Sequence, residues 1–299
     1  MSLRVERAYV DIEPHALASS FDREPFGFSH NLSSLDLFRF SDLQHLTSLY
    51  TDRDYFVASG APTPGTDFYS VAHGDYRPDE AMDRLGSTNA RILLKRPENY
   101  DRRFRDLLAT IFAEIVQRRG GITGKLVRLD SSLLISSSST ITPFHYDPEI
   151  SFFFQIIGEK DYHIYSPAAL REPELEAFYV KGITNIAQVG LAGRDPALEH
   201  VFHLGPGKGM HQPRNAPHWV QTHGSIAVSY VVSFETDVTR AQGRTRAFNH
   251  YARAAGMTPS PVGRDESADA LKAGAMRVAI PVRKSVASTV RRASHRLRR

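Results

Sequence analysis

TPFHYDPEISFFFQIIGEKDYHIY, residues 142–165, decides how this chain is read. His145 and Asp147 stand two residues apart just ahead of a long apolar segment. On extended backbone that spacing points an imidazole and a carboxylate to the same side. One neutral nitrogen and one anionic oxygen converging on a point make two thirds of a facial triad, the arrangement that holds non-haem Fe(II) with positions left open. The candidate for the third ligand is His218, about seventy residues downstream in PRNAPHWVQTHGSIAVSYVVSFET, residues 213–236. His211 competes with it, and His218 is preferred because Pro217-His218-Trp219 leads directly into a second apolar hairpin, within 218–234.

Outward from this stretch the pattern is one of strands. Lys125 to Leu129, Leu133 to Ser138, Ser151 to Ile157, Lys160 to Tyr165 and Ser225 to Phe234 are expected as strands. Gly158-Glu159, with glycine first, suits a two-residue type II′ hairpin turn between two of them. Several strands joined by turns indicate a mainly β fold, an antiparallel double layer or jelly-roll barrel. The segment from Pro167 to Gly207 reads as an insertion between barrel strands carrying a short helix, Glu174 to Val180.

Before residue 120 the chain is mixed, with clear helices. Ser41-Asp42 ahead of Leu43, Leu46 and Leu49 has the form of an N-cap and a short amphipathic helix. Phe104, Leu107, Leu108, Ile111, Phe112 and Ile115 follow the helical rhythm, and Arg118-Arg119-Gly120-Gly121 supplies a cationic last turn and a stop. Such a helix pads the back of a sheet. After Thr236 another helix is expected over Arg240 to Gly256, broken by Pro259-Ser260-Pro261. The organisation is therefore one domain over 1–262, with a helical or mixed part at 1–120 and a barrel core at 124–236, and a basic, helix-compatible tail at 263–299.

Composition bounds the rest. With 299 residues, 41% of them apolar, the chain can bury a substantial core. Nine of its 37 basic residues lie at 272–299, which holds no acid, leaving 28 basic against 33 acidic groups before it. The net charge of +4 thus belongs to the tail, and attraction to nucleic acid is expected only non-specifically through it. The same tail is suited to a homodimer contact. There is no cysteine, hence no disulfide framework or thiolate site. The longest strongly apolar run, Ile226 to Phe234, is nine residues, short of the roughly 20 that span a bilayer. The first twenty residues have no apolar core of a secretory signal, and a cytoplasmic protein is expected.

Lys160 adds the next clue. It begins an arm flanked by Phe, Ile and Tyr residues, a costly place for a cation without an anionic partner. The distal carboxylate of a 2-oxo diacid is such a partner, and Thr142 offers it a hydroxyl.

These residues resemble the JmjC-type, cupin-like Fe(II)/2-oxoglutarate-dependent oxygenases. The likeness is to the hydroxylase branch typified by the asparaginyl hydroxylase acting on the hypoxia-inducible factor. In that branch a Thr three before the first metal His and a Lys fifteen after it hold the distal carboxylate of 2-oxoglutarate, and Thr142 and Lys160 stand at those offsets. The last metal His follows a glycine-rich turn ending in proline, as does His218 after Gly205. The resemblance covers Leu126 to Glu235 and implies a double-stranded β-helix, Fe(II) on His145, Asp147 and His218, and 2-oxoglutarate and dioxygen as co-substrates. Asp at the second ligand position favours hydroxylation over lysine demethylation. The implied substrate is a peptide or protein side chain or a small metabolite. Two Asn positions of the branch appear here as Ser151 and Ser229, which retain hydrogen bonding to the co-substrate, and its upstream Tyr has Tyr69 and Tyr100 as candidates. His163, His203 and His223 read as surface or rim histidines. The competing reading is a non-catalytic cupin-type module that binds metal and contacts polyanions through its tail.

Overall fold

The computed structural model describes residues 8–51, 54–67, 76–180, 187–188 and 190–279. Packing divides the chain into two compact units, one of Met1–Ile122, Leu126–Ala169 and Ile186–Glu235, the other of Thr123–Lys125, Leu170–Asn185 and Thr236–Arg299.

In the first unit the elements run β1 (Val10–Asp11), α1 (Pro14–Ser19), β2 (Phe26–His30), α2 (Phe40–Ser48), β3 (Tyr55–Ser59), α3 (Pro78–Asp83), β4 (Ala90–Lys95) and α4 (Arg102–Arg119). The barrel strands follow as β5 (Leu126–Ser136), β6 (Ile141–Tyr146), β7 (Ile150–Tyr165), β8 (Ala187–Gln188), β9 (Glu199–Leu204), β10 (Lys208–Gln212) and β11 (His218–Thr236). Among the described residues these form one eleven-stranded sheet in the order β1-β2-β10-β7-β11-β5-β4-β3, with β6 adding to β11, β8 to β6 and β9 to β7. All its described pairings are antiparallel.

The two hairpins expected at Gly158-Glu159 and within 218–234 do not form. β7 and β11 are single long strands that pair with each other from Ile164↔His218 to Ile150↔Phe234. Their register slips between His223 and Ser229, opposite Gly158. A Cβ on Gly158 would sit 2.5 Å from the Ile226 carbonyl oxygen, and its φ is +70°, so the glycine serves a bulge rather than a turn. The arms cannot fold onto one another because each is already flanked: the first half of β7 by β10, the second by β9. The all-antiparallel pairing of these strands suits the jelly-roll arrangement. The strand β9, at 199–204, lies in the segment read as a mere insertion, and β5 is one strand where two were expected.

Both faces of β7 are buried. Phe152, Phe154 and Ile156 join Val228, Tyr230, Val232 and Phe234 in the main core, together with Leu43 and Leu46 of α2 and Phe104, Leu107, Leu108, Ile111 and Ile115 of α4. The opposite face places Phe153, Tyr162, Ile164, Met210 and Val220 inside the barrel. α4 is capped by the Asp101 carboxylate, which accepts from the Arg103 amide at 2.8 Å, and stopped by Gly120 at φ +77°. α2 starts two residues earlier than an N-cap at Ser41 would place it, at Phe40, with Arg39 at the N-cap position. Asp42 lies instead in its first turn and pairs with Arg103 at 2.6 Å.

In the second unit, α5 (Glu172–Val180) and α6 (Asp237–Ala254) are joined by the pairs Arg246–Glu172 and Arg253–Glu176, each at 2.9 Å. A further helix covers 266–279, with Ala273 and Met276 buried. Residues 280–299, most of the basic tail, lie outside the described residues. No helix among the described residues is long and apolar enough to cross a membrane.

Candidate metal centre

His145, next to last in β6, lies beside His218 at the start of β11, and these two residues are paired in register. Asp147 follows in the connection to β7, and its carbonyl accepts from the Asn215 amide at 2.7 Å, tying the connection to the loop ahead of His218. One ligand atom from each of His145, Asp147 and His218 lies within 4.8 Å of the others. Asp147 Oδ2 stands 3.9 Å from His145 Nε2 and 3.7 Å from His218 Nε2. The cluster is the one of its kind among the described residues.

Each imidazole is oriented through its other nitrogen. His145 Nδ1 bonds the Pro143 carbonyl at 2.7 Å and His218 Nδ1 the Ala216 carbonyl at 3.0 Å, so both donate there and turn an Nε2 lone pair toward Asp147. Burial favours the neutral rings: it lowers His145 to about 3, with His218 adding and Asp147 opposing, and it lowers His218 as well. Gln212 Nε2 donates to Asp147 Oδ2 at 3.2 Å, and Tyr162 donates to Gln212 Oε1 at 2.6 Å. Two neutral nitrogens and one carboxylate, each held by a second partner, fit Fe(II) in a facial triad.

Thr142 and His145 are three residues apart, yet their rungs on β11 are Val220 and His218, two apart. The bulge between them restores parity and puts Thr142 on the same inward face as the triad. Lys160 faces Thr222, two residues beyond Val220 along β11 and on the other side of that strand. It is 3% exposed and has no hydrogen bond or ion pair among the described residues; burial, and then the charge of Arg91, lowers it to about 7. The inward face of the barrel, the chamber, thus carries the triad and a buried ammonium, and that ammonium is suited to an anionic ligand.

Ser151 and Ser229 lie on the inward face of the same sheet, where their hydroxyls bond Ser233 at 2.8 Å and Gln155 at 2.7 Å. His211 is elsewhere. It stacks on Phe21 with ring centroids 5.3 Å apart and contacts Phe26 and Phe152. Its Nδ1 bonds the Ser151 carbonyl and its Nε2 accepts from the Asp22 amide, so neither nitrogen faces the cluster. Tyr100 is also outside the chamber, stacked on Tyr50 at 3.9 Å; Tyr69 lies outside the described residues. His163 stacks on Trp219, and His203 and His223 flank Asp161 at 2.6 and 2.9 Å. Reading the sequence missed Tyr162, Gln212 and Arg91. Nothing local marks the first two, whereas Arg91, a cation inside the apolar run ARILLK, carried the signal that singled out Lys160.

No protein-family model and no curated protein matches this sequence. Solved structures do match. The ycfD protein of Escherichia coli superposes with a TM-score of 0.52 at 15% identity, covering 92% of this chain and 69% of that one. A second structure, described as the ribosomal oxygenase YcfD of Escherichia coli, gives 0.50 at 16% identity over 92% of this chain and 68% of that one. A third, YcfD in complex with cobalt and 2-oxoglutarate, gives 0.50 at 16% identity over 91% and 68%. At such identity the likeness establishes a shared jelly-roll fold.

Proposed function

We propose that this chain is an Fe(II)- and 2-oxoglutarate-dependent oxygenase that hydroxylates its substrate. The observation that carries the reading is Lys160, a buried cation with no acidic partner among the described residues, on the chamber face that also bears two neutral histidines and a carboxylate. His145, Asp147 and His218 would hold the iron, and Lys160 with Thr142 the distal carboxylate of 2-oxoglutarate. Ser151 and Ser229 are the neighbouring hydroxyls available to the co-substrate. Bound Fe(II) supplies the oxidising chemistry, in which dioxygen and 2-oxoglutarate yield succinate, carbon dioxide and a hydroxylated product. The protein's part is to orient the two ligands, keep the imidazoles neutral and exclude water. That one solved structure of the same fold is described as a complex with cobalt and 2-oxoglutarate supports the reading. The substrate we favour is a protein side chain, since another is described as a ribosomal oxygenase. A cytoplasmic setting belongs to this reading, because iron must stay ferrous and 2-oxoglutarate must be at hand.

Succinate formation from 2-oxoglutarate by the Fe(II)-loaded chain with ascorbate tests it. Turnover in the wild type, absent in His145→Ala and Asp147→Ala, is the expected result. A chain that binds the metal but neither binds nor turns over 2-oxoglutarate would instead be a metal-binding module.

A further inference from the structure

Arg91 is a charged residue only 6% exposed, and it is not one of the metal-cluster residues. It lies on β4, opposite Ser136 of β5. Alternation along these strands sends Ile92, Leu94, Leu133 and Ile135 into the main core, and Arg91, Leu134 and Ser136 to the other face. Leu134 packs on the cluster of Phe153, Tyr162 and Val220, which identifies that face as the barrel interior. The guanidinium Nη1 donates to the Ile141 carbonyl at 3.1 Å, next to Thr142. Arg91 also shares a small cavity with Thr140, whose hydroxyl bonds Thr222 at 3.1 Å, and Thr222 faces Lys160. Arg91 and Thr140 thus line one small cavity, from which a hydrogen bond leads to Thr222 and strand pairing leads on to Lys160, while Thr142 follows Ile141, whose carbonyl Arg91 binds.

We infer that Arg91 is a second cation of the co-substrate site, sharing the distal carboxylate of 2-oxoglutarate with Lys160 and setting the preference for a dicarboxylate. The inference rests on the oxygenase reading above. The charge acting on Lys160 within the protein is that of Arg91, of like sign, and two buried cations close enough to repel are stabilised by an anion placed between them. Their characters also differ. Lys160, held near 7, is only partly charged at neutral pH, whereas Arg91, lowered by burial to about 10, keeps its charge. The guanidinium thus supplies a lasting positive potential with several donors, and the ammonium a point charge.

Calorimetric titration of the Mn(II)-loaded chain with 2-oxoglutarate and with 2-oxopentanoate, which lacks the distal carboxylate, tests this. Arg91→Gln should weaken 2-oxoglutarate by about tenfold or more while leaving the metal and 2-oxopentanoate affinities as they were. Arg91→Lys should return the 2-oxoglutarate affinity to within a few-fold of wild type. Unchanged 2-oxoglutarate affinity in Arg91→Gln, or equal weakening of both probes, would overturn the inference and leave the oxygenase reading intact. If Arg91→Gln does not fold, Arg91→Met, which removes the charge without burying a new polar group, decides: a lost preference for 2-oxoglutarate over 2-oxopentanoate supports the inference, and a retained preference overturns it. A wild-type chain that holds metal yet shows no preference between the probes would defeat the oxygenase reading itself.

Discussion

The Tyr162 hydroxyl donates to Gln212 Oε1 at 2.6 Å, from the far half of β7 to β10, and so sets which end of the Gln212 amide faces Asp147. With its oxygen held by Tyr162, the amide can only donate to the carboxylate. Gln212→Leu should therefore lower metal affinity by about 10–100-fold without unfolding the chain. Tyr162→Phe should act in the same direction more weakly, since the amide keeps its place but loses its orienting partner. Metal titration by calorimetry would read both, and wild-type affinity in Gln212→Leu would show that Asp147 needs no such support.

His211 and His218 lie seven residues apart, and of the two it is His218 that joins the cluster with His145 and Asp147. His218→Ala should lose the metal. His211→Ala should keep it and instead lose stability, by about 3–5 kcal/mol, as for truncation of a buried aromatic side chain. Metal content after desalting, together with urea unfolding, separates the two. Metal loss in His211→Ala with His218→Ala still loaded would reverse the ligand assignment.

Lys160→Ala should leave the metal site as it is and weaken 2-oxoglutarate by roughly 30-fold to several thousand-fold, the cost of removing one partner of a buried charge pair. Lys160→Arg should recover part of this, its guanidinium being larger and differently shaped. An undiminished 2-oxoglutarate affinity in Lys160→Ala would favour the metal-binding module.

Acid should destabilise the fold through two histidines outside the metal cluster. His30, lowered by burial to about 4, accepts the Leu32 amide on Nδ1, and His211, lowered by burial to about 3, accepts the Asp22 amide on Nε2. Protonating either nitrogen would set a proton against a backbone N–H. Both folded values are depressed below 6.5, so their contribution is fully present above that pH and is lost as the pH falls toward 4 and 3. Unfolding then takes up as many as two protons, a slope of up to about 2.7 kcal/mol per pH unit. Urea midpoints at pH 7.5, 6 and 5 measure this; constant stability over that range would mean the rings are already protonated or solvated.

Gly158→Ala should cost about 2–3 kcal/mol, since the added methyl meets the Ile226 carbonyl at a backbone angle that favours glycine. The same change at Gly60, also at positive φ but with open space around it, should cost less. Thermal unfolding of the two variants compares them, and equal losses would show that the close approach of β11 adds nothing.

The sequence by itself determined the metal ligands as a candidate set and the class of fold. His145 and Asp147 are near neighbours on an extended segment, so their shared side follows from strand geometry, and the apolar runs around them fix strands wherever they pair. It also marked Lys160, because a cation among Phe, Ile and Tyr residues is costly at whatever depth it lies. Tertiary structure decided what depends on distant partners. Gly158-Glu159 has the composition of a turn, and only the pairing of β7 with β9, β10 and β11 makes it a bulge within one continuous strand. The bulge opposite His218 and Val220 brings Thr142 to the inner face, where counting along one strand fails. His211 and His218 are equivalent as letters, and the backbone groups that surround each ring separate them. Gln212, Tyr162 and Arg91 reach the chamber from β10, β7 and β4, and side chains that converge from separate strands leave no spacing for a sequence to display.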